Sequence, residues 1–414
     1  MKTSKLYLFI LPAMILGSCQ MKSKSNNNQQ DTTAVDGAAK GTFAYDLNFL
    51  RGKDSIIVLK NNEGIGQVIV SPEYQAKVFT STADGLKGKS FGWVNYKAFA
   101  TKGADLHMNG YGGEDRLWLG PEGSKFSLFF KPGTSMVFDK WHTPAAIDKE
   151  SWKLEASSDK EALLSKNTKM LNYAGTELNI KLERNVRILE NADIAQILGI
   201  ALDTTVKAVA FSTINSIYNV GTNVWDKQSG APCLWSLDMF TPSPATTIVV
   251  PYEEKTTGQV ATTDYFGQIP PDRVKFGNGI LYFKADGKSR GKLGVPPNRV
   301  KKFAGSYDAT NQVLTLITYD FDIKATYLNQ EWKTTKDPFI GDAVNAYNDG
   351  PLENGTQMGP FYEIESVSPA AFLKPNEKLT HKHCVFHFTG NKEALNKIAL
   401  KTLGVSIKAI QSAF

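Results

Sequence analysis

From about Thr42 onward, short apolar runs alternate with turn-forming residues. Ser55 to Lys60, Gly66 to Val70 and Tyr74 to Thr80 are rich in β-branched residues and are separated by Asn-Asn-Glu-Gly and Ser-Pro. Such runs, bounded by turn formers, predict short strands. Ser124 to Phe130 is another apolar run, closed by Lys131-Pro132-Gly133. The cleanest pattern is Glu177 to Ile188. Leu178, Ile180, Leu182, Arg184, Val186 and Ile188 fall on one face, and Glu177, Asn179, Lys181 and Glu183 on the other. A period of two with one apolar face predicts a half-buried antiparallel strand. Further strands are expected at Val206 to Ile217, Thr246 to Val250, Gly279 to Lys284, Val313 to Phe321 and Cys384 to Phe388. Helical periodicity is sparse. Lys392 to Leu403 carries it, with Asn391 placed to cap its start and Gly404 to stop it, and Asn191 to Leu198 reads as a shorter helix. Many strands with few short helices predict an all-β sandwich or barrel, and no 20–50-residue repeat suggests a propeller.

The first eighteen residues follow a different pattern. Lys2 and Lys5 precede an apolar run from Leu6 to Leu16, and Gly17-Ser18 leads to Cys19. Positive, apolar and small residues in that order read as an export segment, too short for the ~20 residues of a membrane span. The cysteine after Leu16-Gly17-Ser18 resembles the lipobox of bacterial lipoproteins. That resemblance implies a signal peptide over 1–18, cleavage before Cys19, acylation of its thiol and a membrane held through the lipid anchor. Residues 19–41 are polar and rich in Asn, Gln, Ser and Lys, so they predict a disordered tether ahead of a body over 42–414. No acidic cluster follows Cys19, which favours an outer-membrane protein facing the periplasm.

Composition narrows the partners. Lys plus Arg is 47 against 41 Asp plus Glu, a net charge of +6. The excess is small and dispersed, which argues against nucleic acid as a partner. Beyond Cys19 there are only Cys233 and Cys384, best read as buried free thiols. No paired Cys or Cys/His spacing predicts zinc, and there is no phosphate-binding Gly-rich loop, Gly-x-Ser-x-Gly elbow or His-Glu-x-x-His, so neither metal nor cofactor is expected.

Three constellations could carry chemistry. The densest runs from Asp105 to Gly123. It holds His107, Asp115, Arg116, Trp118 and Glu122 among five glycines. Charged groups on a Gly-rich loop can converge on a small polar ligand, and an indole face suits the C–H face of a sugar. The plainer alternative is a structural loop with an internal ion pair. The second is Asn345 to Gly350 with Tyr347, followed by Phe361-Tyr362-Glu363-Ile364-Glu365. In a strand Glu363 and Glu365 share a face, where mutual repulsion would favour one neutral carboxyl and hence an acid or base. The third is His381, His383 and His387, on one face of a strand, which could ligate metal but more often marks a solvated or core face.

The run Phe361 to Pro369, then Leu373-Lys374-Pro375-Asn376-Glu377, resembles the C-terminal end of galactose-mutarotase-like (aldose 1-epimerase-like) proteins. Gly113 to Gly123 resembles a turn of the same superfamily's first half, and Asn215 to Gly221 with Leu234-Trp235 its middle strands. Within that superfamily the chain resembles an uncharacterised lipoprotein branch from Bacteroidota. The resemblance implies a β-supersandwich over 42–414 that binds or processes a carbohydrate ligand. It implies Glu363 as general base, with Glu365 the competing register, and His107 as acid. Arg116, Asp115 and Glu122 would clamp hydroxyls, with Trp118 and Tyr347 as stacking faces. The family's second histidine has no counterpart at Asn219-Val220-Gly221, although His142 could supply an imidazole. That departure leaves a non-catalytic glycan-binding module or a structural envelope protein as alternatives.

Overall fold

The computed structural model describes Met1 and residues 37–101 and 105–414; the expected signal peptide, Cys19 and the expected tether up to residue 36 lie outside the described residues. The body opens on a helix, which the β-type pattern read from about Thr42 onward does not include. Helix α1 (Phe43–Arg51) is capped by the Thr42 hydroxyl, and it buries Phe43, Leu47 and Leu50. Their spacing of four and three residues makes one helical stripe, which packs with Ile69 and Phe79.

Strands β1 (Ile57–Lys60), β2 (Gln67–Ser71) and β3 (Lys77–Thr82) form a three-stranded antiparallel sheet. Helix α2 (Tyr96–Ala100) and strand β4 (Arg116–Gly120) follow. Next come β5 (Lys153–Ser157), β6 (Glu161–Leu171), β7 (Glu177–Ile188), α3 (Asn191–Leu198) and β8 (Val206–Asn219). The chain continues through β9 (Cys233–Phe240), β10 (Thr246–Pro251), β11 (Val274–Gly277), β12 (Ile280–Lys284), β13 (Gly291–Val295), β14 (Phe303–Asp308) and β15 (Val313–Tyr319). It closes with β16 (Val344–Asn348), β17 (Tyr362–Val367), β18 (Lys378–Gly390), α4 (Lys392–Leu403) and α5 (Ile407–Gln411). Ten strands make one sheet in the order β11-β12-β10-β14-β15-β18-β8-β7-β6-β5, and five make a second in the order β13-β16-β17-β9-β4. The architecture is therefore an all-β sandwich with few short helices.

Strand β7 keeps the bounds and the alternation read from the sequence, with Leu178, Ile180, Leu182, Arg184, Val186 and Ile188 all buried. Asn391 caps α4 through its side chain, and Gly404 ends it in the left-handed conformation. Ser124 to Phe130 is not a strand. Ser124 takes a φ of 67° and the segment turns back, burying Phe126, Leu128, Phe129 and Phe130 at once. Both remaining cysteines are buried free thiols. No helix among the described residues is long and apolar enough to cross a membrane.

Candidate functional site

The register of the five-stranded sheet sorts its side chains. Arg116 pairs with Leu237, Leu237 with Glu365, and Glu365 with Asn345. Glu363 pairs with Met239 and Tyr347, and Tyr347 with Lys292. Directly opposed residues lie on one face, so Arg116, Trp118, Trp235, Glu363, Glu365, Asn345, Tyr347 and Lys292 share a side. The intervening Asp238, Ser366 and Tyr362 bond to His383, to His381 and His383, and to Ser306 of the ten-stranded sheet. The Arg116 side is therefore the outer face.

That face carries a nearly enclosed charge cluster. Arg116 pairs with Glu363 through Nη2 and Oε1, and both side chains are buried. Its guanidinium stands 5.0 Å from the centre of the Trp118 ring. Two strands away Lys292 Nζ lies 3.3 Å from Glu365 Oε2, which also accepts the Trp235 indole N–H at 2.9 Å. The same ammonium lies 4.4 Å from the Trp235 ring and 5.7 Å from that of Tyr265, within cation–π range. Burial pushes the Glu363 carboxyl upward; Arg116 opposes this and Glu365 adds to it. Burial also raises Glu122, against the pull of Lys292. Two carboxyls on one strand thus have different surroundings: Glu365 is held by an ammonium and an indole, Glu363 by one guanidinium.

Aromatic rings frame the cluster. Trp118 meets Trp235 edge-on at 5.6 Å, and Trp141 stacks on Phe129 at 5.8 Å and on Trp332 at 6.0 Å. Tyr347 is half-buried, and its hydroxyl contacts Arg290 and Asp349. Several buried polar atoms here find no hydrogen-bond partner among the described residues: Arg116 Nε, Glu365 Oε1, Asn345 Oδ1 and Trp141 Nε1. Each such orphan costs about 1–3 kcal/mol, so four gathered around one aromatic-lined face point to a polar ligand or to water.

Not every residue expected here is present. Asp115 turns the other way, between the sheets, where it takes Arg184 at 3.2 Å and the Thr213 hydroxyl at 3.0 Å. As the immediate neighbour of Arg116 in an extended segment it must face oppositely, so it does not join Arg116 in a clamp. His107 sits in the flanking loop. Its Nδ1 bonds the Trp141 carbonyl at 2.7 Å and its ring stacks on His142 at 5.2 Å, which places both imidazoles on the rim rather than against Glu363. Glu122 and Trp118 are buried beside the cluster. Lys292, Trp235, Trp141, Trp332 and Tyr265 were not anticipated. The alternation Lys292-Leu293-Gly294 is a weak signal for the first, Trp235 enters only as part of a middle strand, and Trp141 and Trp332 stand alone with no motif around them.

The three histidines of β18 lie between the sheets. His383 Nε2 is 2.8 Å from Asp238, His387 Nε2 is 3.0 Å from Glu114, and His381 shares Ser366 with His383. One ligand atom each from Asp115, Asp238 and His383 lie within 4.8 Å of one another, a donor set a cation could use. Burial depresses His383, yet Asp238 outweighs it and raises the imidazole overall. Three acids (Glu114, Asp115, Asp238) face His387, Arg184 and His383, which accounts for the cluster as a buried polar network joining the two sheets.

The match to known families covers almost the whole body. A family model described as "Family of unknown function (DUF6786)" matches residues 41–414. The chain belongs to that family. No curated protein matches it. Among solved structures it is similar to an Escherichia coli K12 protein provisionally assigned as an aldose 1-epimerase, at 13% identity, 80% of this chain, 98% of that one and a TM-score of 0.45. It is also similar to a galactose mutarotase-like protein from Lactobacillus casei, at 10% identity, 80% of this chain, 100% of that one and a TM-score of 0.46. A Synechocystis protein aligns at 11% identity over 82% of this chain and 97% of its own, with a TM-score of 0.47. The first two of these carry names from the superfamily that the sequence resembles.

Proposed function

We propose that the protein binds a carbohydrate on the outer face of its five-stranded sheet and that Glu363 is the proton-transferring group if the ligand is turned over. The observation that carries this is the set of orphaned polar atoms, Arg116 Nε, Glu365 Oε1, Asn345 Oδ1 and Trp141 Nε1, among stacked indoles. A sugar offers what that surface lacks: hydroxyls that both donate and accept, and C–H faces that rest on aromatic rings. Glu365, fixed by Lys292 and Trp235, serves as an acceptor of ligand hydroxyls. Glu363, raised by burial, can hold a proton near neutral pH and exchange it with a hydroxyl or ring oxygen. The rim position of His107 favours binding over epimerase-like ring opening, because no imidazole faces Glu363 among the described contacts. The lipid anchor at Cys19 and a periplasm-facing outer-membrane location belong to the same proposal and rest on the N-terminal sequence alone.

A neutral glycan array followed by calorimetry tests the reading. Binding that is weakened in Trp118→Ala and in Arg116→Ala supports it; an array without a single ligand for the folded protein sinks it. Turnover of the ligand in wild type but not in Glu363→Gln would make the protein an enzyme.

A further inference from the structure

A cavity of about 230 Å³ lies at the β13 end of the site. Its lining includes Thr262, Tyr265, Asn298, Asn329, Glu331 and Asp342. Tyr265 lines the cavity and also neighbours the charge cluster. One side of its environment is Lys292, whose ammonium is 5.7 Å from the ring and 3.3 Å from Glu365. At its other end the hydroxyl donates to Asp342 Oδ2 at 2.6 Å and accepts from Asn345 Nδ2 at 3.4 Å. Asn345 is itself the cross-strand partner of Glu365, and its Oδ1 has no hydrogen bond. Gly294, in the same row, leaves room for this junction: a Cβ there would strike the Asp342 carboxylate and the Asn345 amide. The field of Lys292 reaches Glu122, Glu363 and Asp342 alike, so one ammonium links the charge cluster to the cavity wall.

The lining is chemically matched to hydroxyls. Asp342 offers an acceptor, Asn298 an amide that donates and accepts, and Glu331 a carboxylate ion-paired with Lys333 and Lys336, while Ala261, Pro296 and Ile340 supply apolar surface. Carboxylates accept hydroxyl protons in short, strong bonds. We propose that this cavity is a second subsite, which receives the neighbouring unit of a glycan chain, so that the ligand is an oligosaccharide and not a free monosaccharide. The inference rests on the carbohydrate reading above and adds chain length to it.

The test compares calorimetric affinities for a monosaccharide and for di- and trisaccharides of the sugar found on the array, in wild type and in Asn298→Trp. Asn298 is exposed at the cavity mouth, so the indole can fill it without entering the core. A thermal melt checks that the variant folds, and Asn298→Ala serves as a second variant that opens rather than fills. Expected are at least about tenfold tighter binding of the longer ligands by wild type, and loss of that gain in Asn298→Trp with the monosaccharide affinity unchanged. Affinity independent of chain length overturns the second subsite and leaves the carbohydrate reading standing. Equal loss of mono- and oligosaccharide binding in Asn298→Trp overturns it too. Absence of any sugar binding by wild type removes the carbohydrate reading and this inference with it.

Discussion

Replacing Lys77 with Met should stabilise the protein, and the gain should depend on pH in a definite direction. Lys77 is the first residue of β3, 2% exposed, and its neighbour Val78 bridges to Asp115, next to Arg116. Its ammonium makes no ion pair or hydrogen bond among the described residues and lies 5.6 Å from the Tyr111 ring. Burial lowers its pKa from 10.5 to about 7; Asp148 opposes the shift and Arg116 reinforces it. Above pH 10.5 both folded and unfolded chains hold a neutral amine, and the lysine contributes no pH dependence. Between about 10.5 and about 7 the unfolded chain binds the proton and the folded chain does not, so stability falls as pH is lowered through that window and levels off below it. Each unit is worth about 1.4 kcal/mol, so the lysine's contribution between pH 9.5 and pH 7 amounts to roughly 3 kcal/mol. Urea unfolding of wild type and Lys77→Met at both pH values isolates the term, because the other titrating groups cancel in the difference. A stability difference that is the same at pH 9.5 and pH 7 would refute the reasoning and mean that the amine is protonated in the folded state. Confirmation would show that the chain retains a costly, partly deprotonated amine in the strand beside Arg116, a pattern more typical of functional than of structural lysines.

Arg116→Ala should destabilise by about 3–5 kcal/mol, read from denaturant midpoints, because it strands a buried carboxyl; Arg116→Met combined with Glu363→Leu should recover much of that loss. Glu363→Gln should change stability less than Arg116→Ala does and, if the ligand is turned over, should lower the rate by roughly 10²–10⁴ with affinity nearly intact; full turnover in the variant would transfer the role to Glu365. Trp118→Ala should lower glycan affinity by about 1 kcal/mol or more through lost ring contact, and equal calorimetric affinities would demote that ring to scaffold. Cys19→Ser should release the body from the membrane fraction, and a variant that still partitions into detergent would place the anchor elsewhere.

The sequence exposed those parts of the fold whose signal is local. Strand β7 was legible because a two-residue period over 177–188 has one satisfactory burial, and α4 because Asn391 and Gly404 punctuate it. Helix α1 was missed because its stripe of Phe43, Leu47 and Leu50 is embedded in a region whose following runs are all β-branched. Ser124 to Phe130 misled because an apolar run says that residues are buried but not that they extend; a left-handed Ser124 decided otherwise. In the site, Glu363, Glu365, Arg116, Trp118 and Glu122 were selected as residues of two conspicuous segments, and pairing of β4, β9 and β17 brings those segments together. Lys292 and Trp235 could not be found that way. Their importance comes from cross-strand register, a property of pairs far apart in sequence, and a single chain displays no pairing.

Register also explains why the protein can hold two charged layers so close together without mixing their roles. Along β17 the outward Glu363 and Glu365 alternate with the inward Ile364 and Ser366, and along β9 the outward Trp235 and Met239 alternate with the inward Ser236 and Asp238. At the start of β4, Asp115 faces Arg184 inside and Arg116 faces Glu363 outside. A slip of one residue in β17 would exchange the layers, placing Ser366 outside and Glu365 against the histidines, which is why both layers help to fix one register. The inner layer sets each of three acids against a histidine or arginine inside a closed core and joins the two sheets, although Glu114 Oε2 and Asp238 Oδ1 have no hydrogen bond among the described residues. The outer layer keeps orphaned donors and acceptors under a rim of aromatic rings. Parity along the strand thus separates residues that bond one sheet to the other from those that face the aromatic rim. Asp238→Asn should therefore register in stability, through His383, and Glu363→Gln in binding or turnover.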